Sequence, residues 1–158
     1  MKTLIVYLSK FGNTRKLAEA MAETVKPSGN VRVVAIDQLA ASDFDGVDLV
    51  VMGSPTHAFT LPEAVRTVLE SLPLAILGGK SVAAFDTTVK PWPLRCLRAS
   101  PKLLNRLTYL GGKPIARPET FFVKTKNPQK SGQIDLLLEG ELERARRWAG
   151  ELLDRSNR

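Results

Sequence analysis

Leu4-Ile5-Val6-Tyr7-Leu8-Ser9-Lys10-Phe11-Gly12-Asn13-Thr14 sets an apolar run directly before hydroxyl and amide side chains grouped around one glycine. An amphipathic segment opens at its end. A strand that stops abruptly and passes into a helix start leaves backbone N–H groups free at a positive helix terminus, which is a cradle for an anion such as phosphate. Only two cations, Lys10 and Arg15, lie nearby. The stretch therefore predicts a phosphate held mainly by neutral hydrogen bonds rather than by a charge clamp.

Outward from this stretch, apolar strand-like runs alternate with amphipathic helix-like runs, the pattern of a parallel sheet covered on both faces. Residues 2–8 form the first strand. The helix over 14–25 sets Leu17, Ala18, Met21, Ala22 and Val25 on one stripe and stops before Pro27 and Gly29. Strands follow at 31–36 and 47–53, with a polar turn through Asp43 and Gly46 between them. Residues 54–61 form a loop. Pro62 opens a helix whose stripe is Val65, Val68, Leu69 and Leu72, and residues 80–86 form strand four. Pro91, Trp92 and Pro93 make 87–99 an extended loop, because proline disfavours both helix interiors and central strands. Ser100 then reads as an N-cap with Pro101 at the first helical position, and Leu103, Leu104, Leu107 and Leu110 supply the buried stripe. The last strand falls within 113–124, interrupted near Pro118 and strongest at 120–123. A helix over 141–154 closes the chain. The result is a doubly wound α/β fold of five parallel strands between two helical layers, read as one domain over residues 1–158.

Composition limits what such a domain does. The chain has 158 residues, 44% hydrophobic and 25% charged, enough to bury a single core and without a low-complexity tract. No run approaches a membrane span, and the N-terminal apolar run is too short for a signal peptide, so a cytoplasmic location is expected. One cysteine, Cys96, and one histidine, His57, are too few for an internal disulfide or a structural metal site. The net charge of +7 is concentrated: Lys90, Arg95, Arg98, Lys102, Arg106, Lys113 and Arg117 lie between Thr87 and Pro118 with no Asp or Glu among them. Such a surface either steers a nucleic acid, an acidic protein or a phosphorylated ligand, or is simply a solvated basic face. No aromatic interleaving or motif points to nucleic acid.

In an open parallel sheet, ligands bind at the carboxyl ends of strands near the topological switch point, so the loops after strands one, three and four converge. These loops hold Ser9 to Thr14, then Pro55, Thr56, His57, Ala58 and Phe59, then Asp86, Thr87, Thr88 and onward to Trp92. A phosphate pocket, a polar backbone edge and aromatic faces suit a mononucleotide carrying a flat redox ring.

The pattern Ile5-Val6-Tyr7-x-Ser9-x-x-Gly12-x-Thr14-x-x-x-Ala18-x-x-Met21 resembles the signature of the flavodoxins, departing only at Met21, where that signature has a branched aliphatic residue. The likeness continues through Gly53-Ser54-Pro55-Thr56 and through strand four to Asp86, and it spans the chain in the short form that lacks an insertion in the last strand. The resemblance implies strand order 2-1-3-4-5 and one bound FMN. It implies that Ser9, Lys10, Phe11, Gly12, Asn13 and Thr14 hold the phosphate. Thr56, His57 and Ala58, within a loop that also carries Pro55 and Phe59, would lie beside the ring. Asp86, Thr87 and Thr88 would offer backbone to its polar edge, with Trp92 over the other face. Flavodoxins commonly place an aromatic residue at His57 and a tyrosine in the third loop, so the stacking residue is left open among His57, Phe59 and Trp92. Where a glycine would ease rotation of the peptide beside the flavin's N5, this chain has Ala58.

Bland roles stand beside these. Thr14 serves equally as an ordinary helix cap, His57 as a pocket lining, Trp92 as loop packing, and Cys96 as an inert thiol. Asp37 after strand two does not signal a dinucleotide fold, since the first loop has one glycine rather than three. A phosphoacceptor regulator is disfavoured, since strand one ends in Tyr7-Leu8-Ser9 rather than in acidic residues. The leading expectation is an FMN protein that carries electrons between partners. The alternatives are an FMN-dependent NAD(P)H:quinone-type oxidoreductase acting on a small acceptor and a flavodoxin-like binding module without flavin.

Overall fold

The runs Leu49 to Met52 and Val82 to Phe85 are apolar at every position, as strands buried on both faces must be, and both lie in the middle of a parallel sheet. The computed structural model describes residues 1–57, 60–89, 98–124 and 136–158. Its strands are β1 (Lys2–Tyr7), β2 (Asn30–Ala35), β3 (Leu49–Pro55), β4 (Ser81–Val89), β5 (Lys113–Pro114) and β6 (Glu119–Val123). They are ordered β2-β1-β3-β4-β5, with β6 also on β4, and all pairs are parallel. The expected order is thus present.

The fifth strand is present as two pieces at one edge. Between the pairs Val82–Pro114 and Phe85–Glu119, β4 advances three residues and the edge advances five. The extra residues form a break around Pro118, where proline cannot donate to the ladder.

Side chains alternate between two cores. Leu4, Val6, Val50, Met52, Val82 and Ala84 face helices α2 (Glu63–Ser71) and α3 (Ala99–Tyr109). Ile5, Val51, Ala83, Phe85, Phe121 and Val123 face α1 (Asn13–Val25) and α4 (Glu141–Ser156). In the second core Phe85, Phe121 and Trp148 meet edge to face, with ring centroids 5.8 to 6.2 Å apart. The Arg144 guanidinium lies 4.4 Å from the Phe121 ring centre and pairs with Glu141 at 2.6 Å and Glu119 at 2.9 Å. Glu141 in turn accepts the Phe122 N–H at 2.7 Å, so these ion pairs pin α4 to the edge strand.

Opposite Phe85 in register stands Gly53, and a Cβ there would come within 2.1 Å of the Phe85 ring. A rigid buried ring has nowhere to go. Gly53→Ala is therefore expected to destabilise the fold by about 1–3 kcal/mol through overpacking, measured by urea unfolding; an unchanged midpoint would remove this account of the glycine.

Three boundaries differ from the sequence expectation. Strand four runs to Val89 rather than stopping at Asp86, because β6 offers a partner for each residue from Phe85 to Val89. Thr87 and Thr88 are therefore strand residues, not loop residues. Helix α1 begins at Asn13, with Gly12 rather than Thr14 as its cap. Helix α3 begins at Ala99, so Ser100 lies inside it and is not its N-cap; the groups that satisfy its first N–H donors come from Thr56, just after β3, and from Asp86 on β4. Between β2 and β3 the polar turn is built from two short 3-10 turns, Ile36–Gln38 and Ala41–Phe44. Among the described residues, no helix is long and apolar enough to cross a membrane.

Candidate functional site

At the carboxyl end of the sheet, β1 gives way to the loop carrying Ser9 to Gly12. The Leu8 N–H donates to the Gly53 carbonyl at 3.0 Å, and the Gly12 N–H donates to Ser9 Oγ at 3.0 Å. Gly12 has φ +90, a left-handed conformation that glycine adopts without a Cβ penalty, and its carbonyl accepts the Lys16 N–H at 3.0 Å. No side chain among the described residues caps the helix. The first-turn N–H groups of α1 thus stay available at its positive end, with the Ser9 and Thr14 hydroxyls beside them.

These groups open onto a cavity of about 300 Å³ lined by Ser9, Lys10, Phe11, Asn13, Thr14, Pro55, Thr56, His57, Thr87 and Val123. The lining mixes hydroxyl, amide and ammonium groups with the apolar Phe11, Pro55 and Val123. An uncapped helix terminus, two hydroxyls and the Lys10 ammonium fit an organic phosphate, and the cavity's size is at the lower end of small-ligand sites.

Several residues here have structural work as well. Thr14 and Thr87 share a hydrogen bond between hydroxyls at 3.3 Å, tying α1 to β4. Asn13 Oδ1 accepts the Leu136 N–H at 3.2 Å, so its carbonyl holds the segment ahead of α4. The His57 N–H donates to the Thr60 carbonyl at 3.1 Å and the Thr60 N–H returns to the His57 carbonyl at 2.9 Å, an isolated antiparallel bridge. His57 itself is exposed at the cavity rim.

Thr56 links the site to α3. Its N–H donates to the Thr87 carbonyl at 3.0 Å, its Oγ1 accepts the Ala99 N–H at 3.0 Å, and its hydroxyl donates to Asp86 Oδ2 at 3.2 Å. The Ser100 N–H donates to the same carboxylate oxygen at 2.8 Å. Two side chains remote in sequence thereby cap α3. Burial pushes the Asp86 carboxyl above the ordinary carboxylate range, against the Ser100 N–H and the hydroxyls of Thr120, Ser100 and Thr56, which favour the charged form.

Of the residues expected at the ligand, nine converge on the one cavity: Ser9, Lys10, Phe11, Asn13, Thr14, Pro55, Thr56, His57 and Thr87. Gly12 lies against a neighbouring cavity with Arg15 and Asp37. Asp86 and Thr88 stand behind the wall, fully or almost fully buried, and the backbone of residues 86–88 is paired with β6 rather than free in a loop. It is the Thr87 side chain that faces the cavity. Ala58, Phe59 and Trp92 lie outside the described residues. Val123 was not expected; it ends the edge strand, and the same rule about strand carboxyl ends, applied to the last strand, would have found it.

The family model described as "Flavodoxin domain" matches residues 4–94. A flavodoxin of Clostridium saccharobutylicum is 28% identical over 130 residues, covering 76% of this chain and 79% of that protein. Among solved structures, a flavodoxin from the domain Archaea aligns over 100% of both chains at 18% identity with a TM-score of 0.79. Flavodoxin 2 of Bacillus cereus aligns over 98% of this chain and 99% of its own at 21% identity and a TM-score of 0.77.

Proposed function

The chain belongs to the flavodoxin family, FMN-binding proteins that transfer electrons to redox partner proteins, and from that premise we propose which of its residues bind and serve the cofactor. FMN supplies the redox chemistry when bound; the chain supplies binding, orientation and electrostatics. The phosphate lies at the N-terminus of α1, taken by first-turn N–H groups and by the Ser9 and Thr14 hydroxyls, with Lys10 adding charge at the mouth. Pro55, Thr56, His57, Thr87 and Val123 wall the rest of the pocket. Asp86 acts behind that wall by capping α3 and fixing Thr56. Residues 1–158 act as a single domain in this reading.

The observation that carries the reading is the uncapped start of α1, with a left-handed Gly12 and flanking hydroxyls, at a cavity. Titration of the apoprotein with FMN, followed by quenching of flavin fluorescence, tests it. One FMN per chain with much weaker binding of riboflavin is expected. A colourless preparation that leaves FMN fluorescence unchanged would overturn it.

The partner is acidic in this reading. Arg98, Lys102 and Arg106 recur at four-residue spacing along α3, and Lys113 and Arg117 lie on the adjoining edge. Arg106, Lys113 and Arg117 enter no ion pair among the described residues, whereas Arg144, Arg146 and Arg155 are all paired. Arg98 and Arg117 border one cleft at the broken edge strand, beside the α3 terminus that Thr56 and Asp86 hold. Oxidation of the reduced protein by small anionic and cationic oxidants gives the test without a known partner. The rate with ferricyanide is expected to fall as salt rises, and to fall roughly tenfold at low salt in Arg98→Glu/Arg117→Glu, while a cationic cobalt ammine shows the reverse. Equal responses to both oxidants would remove the acidic partner.

A further inference from the structure

We propose that Asp86 is a proton site built behind the wall of the FMN pocket, taking up a proton from solvent when the bound flavin gains negative charge. The inference rests on the FMN reading above and concerns a residue that lines no part of the cavity.

Asp86 is 0% exposed, immediately precedes cavity-lining Thr87, and reaches the cavity through its hydrogen bond from Thr56. Its two oxygens differ. Oδ2 accepts from Thr56 and from the Ser100 N–H, while Oδ1 has no hydrogen-bond partner among the described residues. Two positions along the same face of β4, Thr88 Oγ1 is also buried without a partner among them, and Thr120 is the cross-strand neighbour of Asp86. A carboxylate only accepts, a carboxylic acid also donates, and a threonine hydroxyl does either. The Thr120 hydroxyl, which favours the charged carboxylate, therefore suits both protonation states of Asp86.

Among the described residues, none that acts on Asp86 carries an opposite charge: the residue just after β3 offers the Thr56 hydroxyl, α3 the Ser100 N–H and hydroxyl, and β6 the Thr120 hydroxyl, with no ionised side chain among them contributing to its displaced proton affinity. Arg98, the cation immediately before α3, lies over the Phe122 ring, 5.7 Å from its centre. A carboxylate in that setting is felt across a short, poorly screened distance. Charge arriving on the flavin raises the proton affinity of Asp86, and by reciprocity the neutral acid favours the reduced flavin. The balance is simple: the electron comes from an external reductant, the proton passes from solvent to Asp86, and no bond to the flavin is made by this residue.

Two measurements on wild type, Asp86→Asn and Thr120→Val test this. The first is urea unfolding of the apoprotein against pH. Because burial raises the folded-state proton affinity, the folded state holds its proton above the ordinary value of 3.8 at which the unfolded chain loses it. Stability of wild type relative to Asp86→Asn is thus expected to fall as pH rises from about that value through the raised one, and a flat difference overturns the proposal. The second is the midpoint potential of the FMN-loaded protein against pH. Wild type is expected to show an inflection that Asp86→Asn lacks and that Thr120→Val moves to higher pH, since the lost hydroxyl favoured the carboxylate. Parallel curves overturn the link to the flavin even where the first measurement succeeds. A chain that takes up no FMN would overturn the function proposed above and this inference with it, while the apoprotein arm alone still reports the proton on Asp86.

Discussion

Phe85→Ala is expected to lower the folding free energy by about 3–5 kcal/mol, the largest effect of any single truncation considered for this fold. Phe85 is 0% exposed in the middle of β4 and packs edge to face against both Phe121 and Trp148. Those rings belong to the edge strand and to α4, so one side chain joins the sheet's centre to its last strand and its closing helix. The loss combines the transfer of a phenyl group, the cavity left among rings that cannot collapse inward, and the edge-to-face contacts themselves. The fragility of a domain this size makes the effect large, since total stability is about 5–15 kcal/mol. Urea unfolding monitored by Trp148 fluorescence and by far-ultraviolet dichroism gives the measurement. A loss below about 1 kcal/mol would mean the core re-packs as plastic rather than jigsaw material.

Thr14→Val carries the largest expected effect on ligand binding. The Thr14 hydroxyl sits at the first turn of α1, faces the cavity and is within hydrogen-bond distance of the Thr87 hydroxyl. A hydroxyl donating to a charged phosphate contributes about 1.5–3 kcal/mol, so the substitution is expected to weaken FMN binding roughly ten- to hundredfold. Valine keeps the shape and the buried methyl, and the orphaned Thr87 hydroxyl costs the fold only about 1 kcal/mol. Riboflavin, which lacks the phosphate, separates the two roles: its weaker binding is expected to stay unchanged. Equal losses for FMN and riboflavin would show that Thr14 acts on the pocket wall and not on the phosphate.

The uncapped start of α1 after β1 was legible because it is local. One strand, one glycine and one helix start lie within a dozen residues, and the geometry of a strand-to-helix turn follows from their order. The polar wall was less legible. Thr56, Asp86 and Thr87 were expected at the ligand on the strength of a resemblance, yet Asp86 turns its carboxyl away from the cavity to cap α3, and Thr56 divides itself between the cavity and that cap. Nothing near Ser100 in sequence announces this, since its N–H partner comes from fourteen residues earlier, on another element. Ser100 matched the local pattern for an N-cap and still was not one. The same limit explains strand four. Its last three residues look like the start of a loop until β6 supplies their ladder partners, and a parallel pairing is invisible to a local pattern.

By itself the sequence determined the alternation of strands and helices, the two-faced burial of the sheet, the position of the strand-to-helix turn at Gly12 and the clustering of positive charge between Thr87 and Pro118. These depend on periodicity, on glycine and proline chemistry and on charge counts, all carried by residues close together in the chain. Only the tertiary structure decided which polar side chains face the cavity, that Val123 joins them, that β5 and β6 share one broken edge, and that Asp86 is buried with no counter-charge among the described residues. The physical reason is that burial and hydrogen-bond completion are satisfied across the sheet. A buried carboxyl or N–H takes whatever partner the neighbouring strand or helix brings within reach, however far away that partner lies along the chain.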